Sequence, residues 1–268
     1  MNSAVERAIV CIWERYGEPL SLTDIAQSAI LSRFHFSRIF KDATGVPPGR
    51  FLSAVRIYQA KVMLATSSAN VTDISFAVGF NSLGSFTNHF TDSVGISPSR
   101  FRRLAQNGGI ELEDFLSDSC SSYGVVTGTV SLSEEYAGAR VCLGAFNTPI
   151  VQRRPVAAIV ADVTAAEPYT FQLTNVPEGE WFIHAVAVAD TVDPEPWTRR
   201  TLLVGGHGPV RVGADTGTRA EISLRPRRST DLPILFALPD LETEADDFAK
   251  PRIAAVPAAG RVSSAAAS

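Results

Sequence analysis

The chain has 268 residues, 45% hydrophobic and 19% charged, which excludes a disordered chain and suits one large or two ordinary domains. Its net charge of −4 is unevenly spread: Met1 to Ala105 carries 11 Lys+Arg against 7 Asp+Glu, and the remainder 13 against 21. A nucleic-acid surface therefore belongs in the first part if anywhere, although the excess there is mild.

A first helix is predicted over Ser3–Tyr16, where Val5, Ala8, Ile9, Ile12, Trp13 and Tyr16 form an apolar stripe at 3–4 spacing. Ser21 with Asp24 three residues on resembles a capping box for a second helix, whose Ile25, Ala26 and Ala29 face inward. Ser32 caps a third helix that runs to about Thr44, where Gly45 stops it. Pro47-Pro48 opens a longer helix through Phe51, Leu52, Val55 and Leu64 to about Thr66. About eighteen residues at ~1.5 Å each span roughly 27 Å.

The pattern then repeats. Leu22-Thr23-Asp24-Ile25 returns as Val71-Thr72-Asp73-Ile74, an offset of 49. Ser32, Phe36, Phe40, Asp42, Gly45, Pro48, Arg50 and Phe51 return 50 positions on as Ser82, Phe86, Phe90, Asp92, Gly95, Pro98, Arg100 and Phe101. The second copy thus holds one extra residue near Gly79-Phe80-Asn81. It predicts helices over Thr72–Val78 and Ser82–Val94, and Ser97-Pro98 starts a last short helix with Arg100, Phe101, Arg102 and Arg103. Each copy reads as a helix-turn-helix. Two such units can address successive major grooves, ~34 Å apart, with the long helix as spacer.

The third helix has two faces. Phe36, Ile39, Phe40 and Ala43 are expected in the core, while Phe34, Ser37, Arg38 and Lys41 share the opposite side. An exposed Phe beside cations suits a major groove, because Phe can touch a thymine methyl while Arg pairs with guanine. The matching stripe of the second copy, Gly84, Thr87, Asn88 and Thr91, has no cation. Asn88 can pair with adenine, and Leu83 adds an apolar contact. Unequal halves follow, the first anchoring and specifying. Phosphate contacts are expected from Arg33, Lys41, Arg50, Arg100, Arg102 and Arg103 and from helix N-termini.

These residues resemble the DNA-binding domain of the AraC/XylS family of bacterial transcription regulators. The resemblance covers about Val5 to Arg103. It is carried by Asp24-Ile25-Ala26, Ser32 through Phe40 to Gly45, Arg56, Ala60-Lys61, Asp73-Ile74, Val78-Gly79-Phe80, Phe86 through Phe90, Gly95-Ile96-Ser97-Pro98 and Phe101-Arg102. It implies a seven-helix, two-unit reader of double-stranded promoter or operator DNA, with RNA polymerase as a further partner. The family's base-contacting places fall on Phe34, Ser37 and Arg38 in the first reader and on Leu83, Gly84, Thr87 and Asn88 in the second. Two departures stand out. The second reader lacks the family's frequent Arg or Gln, and extra sequence follows the reader domain where the family usually places a sensor before it.

From Gly124 the apolar period changes from 3.6 to 2. Strands are predicted at Gly124–Leu132, Ala139–Phe146, Pro155–Val163, Tyr169–Thr174, Glu180–Ala189, Thr201–Val204, Pro209–Gly213 and Arg219–Leu224. This spacing indicates an all-β sandwich. Val126-Thr127-Gly128-Thr129-Val130, Gly138-Ala139-Arg140-Val141 and Tyr169-Thr170-Phe171 leading into Val176-Pro177-Glu178-Gly179-Glu180-Trp181 resemble the immunoglobulin-like, prealbumin-like or carboxypeptidase-regulatory-like sandwich. Pro177-Glu178-Gly179 reads as a hairpin turn. One enzymatic cousin hydrolyses 5-hydroxyisourate, but its C-terminal Tyr-Arg-Gly-Ser tail is missing here. Such modules mostly stabilise, bind or dock.

The whole reads as a multidomain chain: an all-α double helix-turn-helix domain (1–105), a linker (106–123) with a short helix around Leu112–Leu116, a β-sandwich (124–239) and a disordered tail (240–268). No cofactor, metal site or enzymatic activity is expected. Cys11, Cys120 and Cys142 are scattered and suit small buried side chains. His35, His89 and His184 have no ligand-spaced partners, and Gly205-Gly206-His207-Gly208-Pro209 reads as a turn with an exposed His. Trp181 and Trp197 suit a sandwich core better than a pocket lining. No leader opens the chain and no apolar run nears the ~20 residues of a membrane helix, so the cytoplasm is the expected compartment. The function expected is a sequence-specific DNA-binding regulator whose sandwich senses a small-molecule effector, docks or self-associates. The alternative is a protein-interaction adaptor whose helices bind DNA weakly or not at all.

Overall fold

The computed structural model describes residues 3–107, 123–192, 201–213 and 217–236. Seven helices come first among them: α1 (Ser3–Arg15), α2 (Leu22–Ser28), α3 (Arg33–Thr44), α4 (Pro48–Thr66), α5 (Val71–Ala77), α6 (Leu83–Val94) and α7 (Pro98–Asn107). Their ends follow local chemistry. The Ser21 hydroxyl accepts from the Asp24 N–H while the Asp24 carboxylate accepts from the Ser21 N–H at 2.8 Å, which makes a reciprocal cap for α2. The Asn70 and Ser82 side chains cap α5 and α6 in the same way from one side. Gly45 and Gly95 end α3 and α6 in the left-handed conformation.

The helical core is built from the repeated phenylalanines. Phe36, Phe40, Phe51, Phe86, Phe90 and Phe101 are fully buried. Phe40 meets Phe51 edge-on at 5.5 Å, and Phe90 meets Phe101 at 5.7 Å, so each unit closes on the helix that follows it. Ala43, expected in this core, is instead exposed. It lies in the last turn of α3, one position short of the buried Thr44, and lines a cavity instead.

The chain then forms β1 (Tyr123–Ser131), β2 (Tyr136–Phe146), β3 (Ala157–Val163), β4 (Tyr169–Pro177), β5 (Gly179–Thr191), β6 (Thr201–Val212), β7 (Thr218–Ser223) and β8 (Arg225–Pro226). One sheet has the order β4-β1-β7 and the other β3-β2-β5-β6-β8. β1 pairs antiparallel with β4 and parallel with β7, whereas the second sheet is antiparallel throughout. Val126, Val130, Phe171, Leu173 and Ile222 from the first sheet share one apolar core with Val141, Leu143, Ile183, Ala185 and Leu203 from the second.

Two expectations are corrected. Thr201–Val204 and Pro209–Gly213 belong to one strand, not two, and the glycine-rich stretch between them is not a turn. β6 pairs with β5 on both sides of it, and a register shift opposite Trp181–Ile183 absorbs the Gly208-Pro209 step. His207 within it is exposed, as expected. Pro177-Glu178-Gly179 is not a hairpin either. It carries the chain from the three-stranded sheet into the five-stranded one. The predicted helix at Leu112–Leu116, most of the linker, the tail, Cys120 and Trp197 lie outside the described residues.

The five-stranded sheet has an apolar outer face as well as an apolar inner one. Cys142, Val186, Val188, Leu202 and Val204 alternate with the inward residues and join the helical core. A strap over residues 232–236 lies between. The Leu235 and Phe236 N–H groups both donate to the Val151 carbonyl, at 2.8 and 3.0 Å, and Phe236 is 0% exposed. From α4, the Lys61 ammonium, itself 8% exposed, donates to the Phe236 carbonyl at 3.1 Å and lies 5.5 Å from the Phe101 ring. The Arg227 guanidinium lies over Tyr58 of α4, and the Arg153 N–H donates to the Ser93 carbonyl at 2.6 Å. Helices and sheet thus share a continuous core across this seam.

Candidate nucleic-acid interface

The interface is built from the outward sides of α3 and α6. In the first unit the start of α3 presents Arg33, Phe34 and Arg38, all exposed, with Ser37 half-buried between them and Lys41 exposed a turn further on. Phe34 is 87% exposed, although the sequence offers neighbouring helices against which an aromatic ring normally packs. In the second unit Gly84 and Asn88 are exposed, Leu83 is partly so, and Thr87 and Thr91 are half-buried. The first face is therefore cationic and aromatic, and the second uncharged and small.

Each unit turns between its two helices by the same device. In the first, the Leu31 N–H donates to the Ala26 carbonyl and the Ile30 N–H to Gln27; in the second, Phe80 donates to Ser75 and Gly79 to Phe76. The residue at the turn is left-handed in both, with φ +60° at Ile30 and +88° at Gly79. Only Gly takes this conformation without strain. Gly79 has a second reason: a Cβ there would stand 2.9 Å from the Tyr16 carbonyl and 3.0 Å from the Arg56 guanidinium.

Arg56 of α4 fixes one unit against the other. Its Nε donates to the Tyr16 carbonyl at 2.8 Å and its Nη2 to the Glu18 carbonyl at 2.7 Å, both just beyond the end of α1. Desolvation lowers its pKa from the ordinary value. The guanidinium is thereby wedged between the end of α1 and the turn of the second unit.

The expected phosphate contacts divide. Arg33, Lys41, Arg50, Arg100 and Arg103 are exposed. Arg102 is turned inward: its Nη2 donates to the Ala69 carbonyl and so ties α7 to the start of α5. The sequence did not single out Phe76, 53% exposed on α5, or Ile30, 80% exposed in the first turn. Phe76 stands where the first copy has Gln27, an apolar-for-polar exchange that comparing the copies reveals. No group of three or more His, Cys, Asp or Glu among the described residues is placed to hold a metal ion, and no described helix is long and apolar enough to cross a membrane.

The fold and this site define a double helix-turn-helix protein. A family profile described as a helix-turn-helix domain matches residues 25–104. The HTH-type transcriptional activator AarP of Providencia stuartii is 35% identical over 101 residues, which is 38% of this chain and 75% of that protein. The lactose operon transcription activator of Staphylococcus xylosus is 30% identical over 102 residues, 38% of this chain but 37% of its own length. Among solved structures, an AraC-type regulator from Chromobacterium violaceum is similar at 27% identity and a TM-score of 0.39, covering 40% of this chain and 96% of that one. The DNA-binding domain of AdpA, in complex with a target DNA, is similar at 28% identity and a TM-score of 0.37, covering 38% and 93%. The chain belongs to the AraC-type helix-turn-helix transcription regulators. Both curated relatives are transcription activators.

Proposed function

We propose that this chain is a sequence-specific DNA-binding transcription regulator that sets α3 and α6 into two successive major grooves of one promoter or operator duplex. The observation that carries the reading is the start of α3, where a Phe 87% exposed stands beside Arg38, which makes no ion pair among the described residues. Phe34, Ser37 and Arg38 read bases in the first groove; Leu83, Gly84, Thr87 and Asn88 make weaker contacts in the second. Arg33, Lys41, Arg50, Arg100 and Arg103 neutralise phosphates, and Arg102 serves to hold α5 in place. RNA polymerase is the protein partner this reading calls for.

The chain divides into a reader (1–105) and a prealbumin-like sandwich (124–239) that is immunoglobulin-like in its layering. Of sensing, docking and self-association, docking against α4 has the most support, from the Lys61–Phe236 bond and the apolar outer face of the sheet. Sensing is compatible with it.

A mobility-shift assay on the natural upstream region tests the reading. Arg38→Ala should weaken binding by ~1–3 kcal/mol, the worth of one bidentate base contact. Equal affinity and equal salt dependence for variant and wild type would overturn groove reading by α3. A second reading, a protein-interaction adaptor, is favoured by the absence of any cation on the α6 face. No detectable DNA binding at low salt, together with a stable protein complex, would select it.

A further inference from the structure

A cavity of about 360 Å³ lies where the C-terminal end of α3 meets the outer face of the five-stranded sheet. Its apolar lining is Val151, Val204 of β6 and Leu232 of the strap, each partly exposed, over the buried Val186 and Ile234. Its rim is polar. Arg225 donates to both carboxylate oxygens of Asp231 at 2.7 Å, and the Arg228 N–H reaches the same carboxylate at 2.6 Å, so Asp231 is fully engaged. The Arg228 side chain lines the cavity, is exposed and makes no ion pair among the described residues. Two guanidiniums against one carboxylate leave a net positive charge at the mouth.

His184 adds a directed acceptor. Its Nε2 lies 3.4 Å from the Thr148 carbonyl, which can only accept, so Nε2 carries the proton and Nδ1 is left as an acceptor. Gly206 pairs opposite His184 and places no side chain against Nδ1, where a Cβ would stand at 3.1 Å. Burial pushes the imidazole pKa down to about 4, so the ring is neutral at pH 7 and adds no charge. The glycine-rich stretch of β6 therefore has a use that its sequence did not disclose: it leaves space above a histidine.

We infer that this cavity binds a small monocarboxylic acid that has an apolar body and a hydroxyl group. The carboxylate pairs with Arg228, the body lies on Val151, Val204 and Leu232, and the hydroxyl donates to His184 Nδ1. The volume falls near the lower end of the ~300–1,000 Å³ typical of ligand pockets, which favours a compact occupant. The occupant also touches Ala43 and Thr44, the last turn of the helix that carries Arg38. Binding is thus coupled to the placement of the first reader, a consequence that rests on the regulator reading above.

Titration calorimetry on the full chain tests this with hexanoate, 3-hydroxyhexanoate and phenylacetate, and with hexanamide as the uncharged counterpart. The carboxylates should bind saturably with 3-hydroxyhexanoate tightest, and hexanamide should not bind. Arg228→Glu, at an exposed position, should weaken carboxylate binding about tenfold or more, the worth of one charge-assisted contact. Ala43→Trp, also exposed, should block the mouth without unfolding the chain, which thermal melting of the free protein verifies. Saturable binding by none of the three acids, or binding unchanged in both variants, would overturn the inference. DNA affinity measured on the same samples separates the two claims. DNA binding without acid binding removes only the pocket, and acid binding without DNA binding removes only the regulator reading.

Discussion

Phe236→Ala is the sharpest test of the seam between helices and sheet. The ring is 0% exposed and faces Phe146 edge-on at 6.3 Å, with the helical core on its other side. Truncation removes a fully buried aromatic from a position where neither neighbour can collapse freely, because the Val151 carbonyl and Lys61 hold the strap backbone from both sides. Phe→Ala in such surroundings costs ~3–5 kcal/mol, as transfer and cavity terms together. Urea unfolding of the full chain in a Trp13→Phe background, which removes the tryptophan of α1 and keeps Trp181 of β5, followed both by helical circular dichroism and by tryptophan fluorescence, measures the loss. If helices and sheet unfold as one unit, both signals shift together, by that amount. A loss below ~1 kcal/mol, or a shift in the fluorescence signal alone, would refute the claim that the strap belongs to a shared core.

The other expectations are shorter. Lys61→Met keeps the bulk near Phe101 but leaves the buried Phe236 carbonyl without its ammonium donor; denaturant titration should show a loss of about 1–3 kcal/mol. The folded pKa of His184, about 4, lies below the unfolded value of ~6.5, so the unfolded chain takes up the proton first as pH falls. Its contribution is complete above pH ~6.5 and drains away towards pH ~4, by about 3 kcal/mol, a slope that His184→Gln should flatten in unfolding measured across that window. Asp231 is costly to desolvate, yet the Arg225 pair and the Arg228 N–H together hold its pKa below the ordinary carboxylate range. Its stabilisation is present at neutral pH and lost as pH falls through that lowered value; the gap in unfolding free energy between wild type and Asp231→Asn should therefore close in acid. Ile30→Gly should raise the melting temperature, gaining about 1 kcal/mol from relieved left-handed strain at a site with little packing to lose. Gly79→Ala should lower it, because a Cβ there crowds both Tyr16 and Arg56.

Most of the helical part could be read from the residues because its information is local. Caps such as Ser21 with Asp24, stops such as Gly45 and Gly95, and the doubled phenylalanine pattern each act within a few positions. The exposed side of α3 followed from the same periodicity. What escaped reading depends on distant partners. Arg102 was expected at a phosphate, and its bond to the Ala69 carbonyl depends on a partner 33 positions away. Ala43 has an inward spacing, but it lies in the last turn of α3 and faces a cavity lined by residues far away in the chain. The stretch 205–209 carries turn residues, yet β5 supplies enough pairing on both sides to keep it a strand. The run Leu232-Pro233-Ile234-Leu235-Phe236 is apolar, but it was not singled out, and nothing in it says which surface it covers. Lys61 stood out only as part of the family resemblance, and its role as a buried donor needs residue 236, far away in the chain.

The bracing of α4 has a mechanical corollary. Its 19 residues make a rod of roughly 28 Å, gripped by the paired units on one flank and by the strap on the other. A rod held this way cannot stretch or bow, so the protein fixes the spacing it offers to a ~34 Å groove repeat. If both reading heads engage together, any mismatch between their fixed spacing and the groove repeat falls on the nucleic acid, which must bend. Target sites would then be chosen partly for cheap kinking at their centre, where no side chain touches a base, so that pyrimidine–purine steps there would bind better than a stiff adenine tract.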